Sequence, residues 1–365
     1  MNASLNEKLG AVKWGEYRLG KLFDSYNGNF DIQKEHINGK GIQVITAGVA
    51  NNGVLGKSDV AAKVFPAGTL TVDMFGNAFY RNTEYKMVTH ARVFSLCPNF
   101  AITDNQGVFL ASALSFIRAK FGFDNMCTWD RIRSLRIKLP TSETGEIDFA
   151  FMESFMAELE AERIAKLSAY LSVSGLDDCE LSREEESAIA GYESFNWSAY
   201  HLEALFGKST RGKRLKSEDR IMGSLPFVTA GEAEEGVSAF IGNEVEVFEK
   251  NTTTVDMFGS AKYRNYRYGA DDHVAVVHTE SLPMKAAIFV TSAIHKAAHT
   301  GKFDYGHNFY AKDADTLDIM LPTKDGKPDY QAMELLISAI QKMVIKDVVC
   351  YADERIEATR RLTEL

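Results

Sequence analysis

No run of apolar residues in this 365-residue chain approaches the roughly 18 that a membrane span needs. The opening stretch, Met1 to Gly10, carries no apolar core of the kind found in signal peptides, so the expected compartment is the cytoplasm. Cysteine is scarce: Cys97, Cys127, Cys179 and Cys350 lie far apart with no C-x-x-C pair. That spacing argues against a zinc site and a disulfide framework and leaves buried or incidental thiols. The seven prolines include no Pro-Pro pair, which removes the Asn-Pro-Pro-Tyr type of adenine-methyltransferase motif. Glycine-rich nucleotide signatures of the Gly-x-Gly-x-x-Gly and P-loop kinds are missing as well. His295-Lys-Ala-Ala-His299 has metal-clamp spacing but lacks the glutamate of H-E-x-x-H, so solvated or DNA-facing histidines are the expectation. Ser/His/Asp and Cys/His triads cannot be assembled. An excess of basic residues is also missing: the net charge is −9, which counts against a nucleic-acid binder unless the charge is unevenly placed.

What the chain does have is one unit written twice. Thr71-Val-Asp-Met-Phe-Gly-Asn-Ala-Phe-Tyr-Arg-Asn82 recurs as Thr254-Val-Asp-Met-Phe-Gly-Ser-Ala-Lys-Tyr-Arg-Asn265, ten of twelve positions being identical at an offset of 183 residues. The same offset relates Trp14 to Trp197, Leu22-Phe23 to Leu205-Phe206, Thr46-Ala-Gly48 to Thr229-Ala-Gly231, Phe65 to Phe248 and His90 to His273. It slips to 182 for Leu139-Pro-Thr141 and Leu321-Pro-Thr323, and to 181 for Met152-Glu153 and Met333-Glu334. Two copies therefore fill the protein. Each reads as short β-type runs punctuated by Gly and Asn, a helical pattern near 105–119 or 284–298, a Leu-Pro-Thr turn and a long helix. Asp73 and Asp256, despite the following Met-Phe-Gly, lack the partner motifs of a kinase D-F-G and are expected to cap a tight turn.

The first long helix is predicted to start at an Asp148 N-cap, with Phe149, Met152, Met156, Leu159, Ile164, Leu167 and Leu171 on its apolar side. The second starts near Asp329 with Met333, Ile337, Ile340, Val344, Val348 and Tyr351. One seam in a shared register predicts an antiparallel helix pair. The predicted fold is α+β: a recognition-type domain at 1–146, a helix at 147–174, a linker at 175–193 with a short solvated helix at Ser182–Ala190, a second domain at 194–327 and a second helix at 328–365.

Charge is unevenly placed. Lys208 to Arg220 holds six basic residues against two acidic, and so does Arg118 to Lys138, while acid gathers in the helices and linker. Basic loops on an acidic frame suit phosphate contacts. Shared positions should build the scaffold, and positions that differ should carry what each copy reads. Asn27–Gly41 differs from Thr210–Gly223, and Asp124–Arg133 differs from Tyr305–Asp315. Candidate DNA contacts are thus Asn27, Asn29, Gln33, Lys34, Arg118, Lys120, Arg131 and Arg133 in the first copy. In the second they are Lys208, Arg211, Lys213, Arg214, Lys216, His307, Asn308, Tyr310 and Lys312, joined by Arg81 and Arg264 of the repeated motif. Arg and Lys suit guanine edges, and Asn and Gln suit adenine.

Phe65-Pro-Ala-Gly-Thr69, the Asp-Met-Phe-Gly segment, and Ile137-Lys-Leu-Pro140 and Ile319-Met-Leu-Pro322 ahead of long helices occur in this order across essentially the whole chain. In that arrangement the sequence resembles the specificity (S) subunits of type I restriction–modification systems and the S-like subunits of type IIB enzymes. The resemblance implies a non-catalytic subunit in which each domain grips half of an asymmetric bipartite site in double-stranded DNA. It implies helices that act as a ruler; 25 residues span about 37 Å, which sets half-sites about one turn of DNA apart. It also implies a methyltransferase partner, fused to a nuclease in the IIB case. S-adenosylmethionine and magnesium would serve the partner subunits, with no cofactor in this chain. The short acidic linker leans toward the IIB-like assembly. Two other readings stay open: a metal-dependent nuclease, and a repeat scaffold binding proteins or glycans.

Overall fold

The structure, a computed structural model, describes residues 3–363. It divides into two compact units, one formed by the described residues up to Ala169 together with those from Ala352 onward, the other by Tyr170–Tyr351. Among the described residues no helix is long and apolar enough to cross a membrane.

In the first unit Thr69–Val72 is buried along its whole length and forms the centre of an antiparallel sheet. Phe94–Pro98 and Ala78–Arg81 flank it, and Phe23–Asn27 pairs on the far side of Phe94–Pro98. A second sheet sets Ile42–Ile45 between antiparallel Val54–Ser58 and parallel Tyr85–Met87. The helix Asp104–Ala113, opened by a Thr103/Gln106 capping box, lays Phe109 and Leu110 against Leu70, Val72 and Leu96. Met152 and Phe155 from the first turns of the long helix Phe149–Val173 join the same core.

The second unit repeats this order. Thr252–Asp256, again wholly buried, lies between Ala261–Arg264 and Val274–Val277, and Thr210–Arg211 pairs beyond the latter. Met222–Val228 takes the place of Ile42–Ile45, with Val237–Ile241 antiparallel and Tyr268–Ala270 parallel to it. The helix Met284–Ala298 buries Ala286, Val290, Ile294 and Ala298, one residue per turn, on the sheet.

The Leu-Pro-Thr turns have a mechanical role. Trp14–Arg18 pairs with Arg136–Pro140, and Trp197–His201 with Asp318–Lys324, in equivalent registers. The turn threonine then meets a tyrosine hydroxyl, Thr141 with Tyr17 at 2.9 Å and Thr323 with Tyr200 at 3.0 Å. Each helix starts just beyond, capped by Asp148 accepting from the Phe151 N–H (2.8 Å) and by Asp329 accepting from the Ala332 N–H (3.0 Å).

The helix seam requires correction. On Tyr330–Thr363 the expected seam is buried only at Met333 and Ile337, whereas Ile340, Val344 and Tyr351 are 49%, 75% and 45% exposed and Val348 is exposed too. Burial passes to Val349 and Ala352, with Ile345 and Ile356 half-buried, at alternating spacings of four and three. This helix carries two apolar stripes, and periodicity alone could not say which one is covered. On the first helix Ile164 and Leu171 are buried, and the 181-residue offset carries them onto Ile345 and Ala352. Within the first unit the Arg355 guanidinium meets the Glu160 carboxylate at 3.3 Å.

The linker helix, Arg183–Ala190, is not simply solvated: Ser182 and Glu185 form a capping box, and Glu185 and Ala188 are buried. Lys342 of the long helix lies 2.6 Å from Asp178 and 3.1 Å from Glu185, and donates to the Glu180 carbonyl (2.8 Å). The Lys342 hydrogen bond holds the Asp178 carboxyl below its ordinary value. Burial works against the charged form of Glu185, but hydrogen bonds from Ser338, the Ser182 N–H and Lys342 outweigh it and lower that carboxyl as well. The ammonium is in turn raised, Asp178 first among the causes. Lowered carboxyls stabilise the fold above the carboxylate range and lose that contribution as pH falls through their folded values; the raised lysine loses its own only in strong alkali. Protection of the amides across 176–190, taken as exchange relative to the intrinsic rate at the same pH, is therefore expected to be high at neutral pH and to fall below the carboxylate range; equal protection at both would contradict the clamp.

Candidate nucleic-acid interface

The repeated motif builds a polar hub in each unit. Asp73 Oδ1 accepts from the Phe75 and Asn77 N–H groups (both 2.9 Å), and Oδ2 from Asn77 Nδ2 and the Gly48 N–H (both 2.8 Å). Asp256 accepts from the Phe258 and Ser260 N–H groups (both 3.0 Å) and the Gly231 N–H (3.2 Å). The capping role expected of both aspartates is what the structure shows. Glycine is needed in the turn itself: Gly76 and Gly259 sit at φ +81° and +80°, and a Cβ on Gly259 would lie 2.5 Å from the Ala298 carbonyl oxygen.

Arg81 and Arg264 are corrections. They are only 6% and 1% exposed, and so offer no guanidinium to a phosphate. Each Nε donates to a threonine on the central strand, Thr71 or Thr254, at 2.9 Å. Each terminal nitrogen reaches a hairpin carbonyl, Asn52 (2.8 Å) or Glu235 (2.9 Å). Those hairpins hold two consecutive non-glycine residues in the left-handed region, Asn51-Asn52 and Glu234-Glu235, and the buried arginine fixes them there. Burial pushes Arg81 down to about 10, still cationic at neutral pH.

The remaining candidates lie at the surface or partly so. Asn27 and Lys34 are exposed. Asn29 accepts from the Lys63 N–H (2.6 Å), and Gln33 donates to Asp31 (2.6 Å), so both are partly committed to their own loop. Asp31 also receives His90 Nδ1 at 2.6 Å, which ties this loop to the turn at 88–93. Arg118 and Lys120 are exposed; Arg131 donates to the Met126 carbonyl (3.0 Å), and Arg133 lies 3.6 Å from Asp130. In the second unit Lys208, Arg211, Lys213 and Arg214 are exposed, while Lys216 lies 3.5 Å from Glu218. The His307 ring sits 5.5 Å from Phe303, Lys312 lies over the Tyr310 ring, and Asn308 Nδ2 is 3.4 Å from the Tyr310 hydroxyl. His295 and His299 stack at 4.8 Å; His295 Nδ1 accepts from the Ala261 N–H and His299 Nδ1 donates to the Phe258 carbonyl, so both serve the scaffold. Among the described residues no three metal-ligating side chains gather.

The segments that differ between the copies converge. A cavity of about 500 Å³ in the first unit is walled by Asn27 and Gly28, by Thr89 to Phe94, and by Cys127 to Asp130. These stretches are far apart in sequence, and two of them are the ones that diverge between copies. The third wall is also unequal: ten residues run from Met87 to Leu96, against eight from Ala270 to Val277, the counterpart of Leu96. Sequence reasoning missed Arg92, Thr128 and Trp129, although that length difference marked the place. A larger cavity, about 700 Å³, lies in the second unit against Tyr192, Trp197, Phe289 and Met320, and holds none of the candidates.

Residues 11–169 match the family model of the type I restriction modification DNA specificity domain. A specificity subunit of a type II restriction enzyme from Heyndrickxia coagulans, S.BcgI, is 23% identical over 341 residues, which cover 92% of this chain and 96% of that protein. The crystal structure of a type I restriction–modification S subunit from M. genitalium shares the fold at a TM-score of 0.61 and 16% identity, over 97% of this chain and 95% of that one. The first half of the chain thus matches a DNA specificity domain of the type I restriction–modification kind, its second half repeats that unit, and over nearly its whole length the chain is similar to specificity subunits of restriction systems.

Proposed function

We propose that the two domains read two different half-sites of one bipartite DNA sequence and deliver a methyltransferase partner to it. One observation carries the reading: the buried scaffold is the same in both domains, down to the aspartate hub and the arginine anchor, while the exposed polar segments differ. A shared scaffold with unlike surfaces suits one binding mode applied to two sequences. Phosphate grip falls to the exposed basic residues, Lys34, Arg118, Lys120 and Arg133 in one domain and Lys208, Arg211, Lys213, Arg214, Lys216 and Lys312 in the other.

The long helices, 25 and 34 residues, serve as the spacer and pair antiparallel. The equivalent positions Ile164 and Ile345, Leu171 and Ala352, at heptad spacing and all buried except the half-buried Ile345, support this, as does the Arg355–Glu160 ion pair. The exposed stripe Ile340, Met343, Val344 and Tyr351 is an apolar surface for the methyltransferase partner. S-adenosylmethionine and magnesium act in partner subunits, and the complex works in the cytoplasm.

Methylome sequencing of a host expressing the methyltransferase with and without this chain tests the reading. A bipartite methylated motif present only with the chain is expected. An unchanged methylome in a host with active methylation would overturn it.

A further inference from the structure

We infer that bases are read in the cleft where the divergent segments meet: the first domain takes guanine through Arg92, and the second takes a base bearing an exocyclic amine through Asp272 and Asn308. The inference rests on the proposed function and adds the place and the chemistry of readout.

The cavity lies in the first domain, and equivalent elements meet at the same place in the second. In the first, its walls are the start of the Asn27 segment, the 88–93 turn and the 127–130 segment. In the second, Arg211 pairs with Ala275 on the strand that follows the 271–273 turn, and the helix Ala311–Asp315 packs against that strand. The third wall matches bond for bond: the Cys127 N–H donates to the Met74 carbonyl (2.7 Å) and the Phe309 N–H to the Met257 carbonyl (2.9 Å). Asn308 therefore adjoins the position that Cys127 lines in the first domain, and Asp272-His273 occupy the turn that carries Thr89 to Arg92.

Unspent polar groups mark both clefts. Arg92 is exposed, held at φ +49°, and its guanidinium has no hydrogen bond or ion pair among the described residues. A non-glycine residue in this region is strained, and nothing among the described residues uses the side chain it presents. A free guanidinium at a cleft mouth matches the O6 and N7 acceptors of guanine. In the second domain, Asp272 Oδ1, His273 Nδ1 and Asn308 Oδ1 are buried without a hydrogen-bond partner, and they are the only such side-chain atoms among the described residues. The approach of His273 Nε2 to Asp272 Oδ1, 3.8 Å, is too long for a hydrogen bond. Buried polar atoms are normally paired, and each of the two open acceptors, on side chains that are themselves only half-buried, calls for a donor. In the major groove that donor is the amine of cytosine N4 or adenine N6.

The test uses the full chain with its methyltransferase partner, the methylome as readout, and two variants. Arg92→Asn keeps a residue type that tolerates the left-handed backbone. It is expected to lower discrimination at one guanine of one half-site by roughly 10- to 100-fold, with the other half-site unchanged. Asp272→Ala with Asn308→Ala should relax a cytosine or adenine position in the opposite half-site alone. Its thermal midpoint should stay level or rise, because it deletes unsatisfied atoms; a fall would mark those side chains as structural and overturn the assignment. A motif left intact by both variants, a first half-site without guanine, or equal loss at both half-sites would overturn the inference and leave the proposed function standing. A wild-type complex without any bipartite motif would remove the function and the inference together.

Discussion

Replacing Asp73 by alanine is expected to cost the first domain about 4 kcal/mol, and Asp256→Ala a little less in the second. Asp73 is 3% exposed and accepts four N–H donors, three of them from backbone. Alanine leaves those donors facing a small void, and each unsatisfied buried group costs about 1–3 kcal/mol. Local relaxation and water entry recover part of that, which is why the sum is not taken at face value. Asp256 accepts three backbone donors and should cost proportionately less. The Gly48 and Gly231 N–H bonds tie the hairpins at 46–53 and 229–236 to these hubs, so local unfolding should begin there. Urea denaturation read by fluorescence gives the size, and hydrogen exchange gives the place. A loss below about 1 kcal/mol, the range of ordinary surface substitutions, would show that neither aspartate is a scaffold hub.

The second large effect is on DNA. Arg211→Ala with Arg214→Ala should weaken binding to the cognate duplex by roughly 10- to 100-fold and lower the salt slope by about two. Both side chains are exposed, and Arg211 lies on the strand edge that borders the second domain's cleft. Each removed phosphate contact releases one counterion fewer, so the loss should shrink at high salt. Titration of the complex against duplexes with one half-site scrambled at a time separates the domains. Loss confined to duplexes retaining the second domain's half-site is expected; equal loss with either half-site would end the modular reading. The same titration assigns each half-site to a domain, which the Arg92 and Asp272 variants require.

The two unlike surfaces on one scaffold also explain how a chain of net charge −9 addresses a polyanion. Its excess of acid lies in the helices and linker, where Asp178 and Glu185 hold Lys342 and Glu160 meets Arg355. Exposed basic residues, among them Lys34, Arg133, Lys208, Arg211, Lys213 and Arg214, stand in and beside the divergent segments. Whole-chain charge reports solubility and long-range repulsion; the local field decides binding.

Local chemistry and direct repetition are legible in the order of residues alone. The 183-residue offset set the number of domains, because two stretches sharing ten of twelve residues must fold alike. Asp148, Asp329 and Ser182 marked helix starts, since a side-chain oxygen satisfies N–H groups only a few residues away. Asp73 and Asp256 marked tight turns for the same reason. The tertiary structure alone decided which members of a residue type are buried and which segments meet. Arg81 and Arg264 look like surface cations in sequence, but they lie inside because a threonine on the neighbouring strand and a distant hairpin carbonyl wait for their donors. The second long helix has apolar residues on two stripes, and only the packing around it chose Val349 and Ala352 over Val344 and Tyr351. The cleft that joins Asn27, Arg92 and Thr128 depends on strand pairings between residues some seventy positions apart, which no local pattern can register.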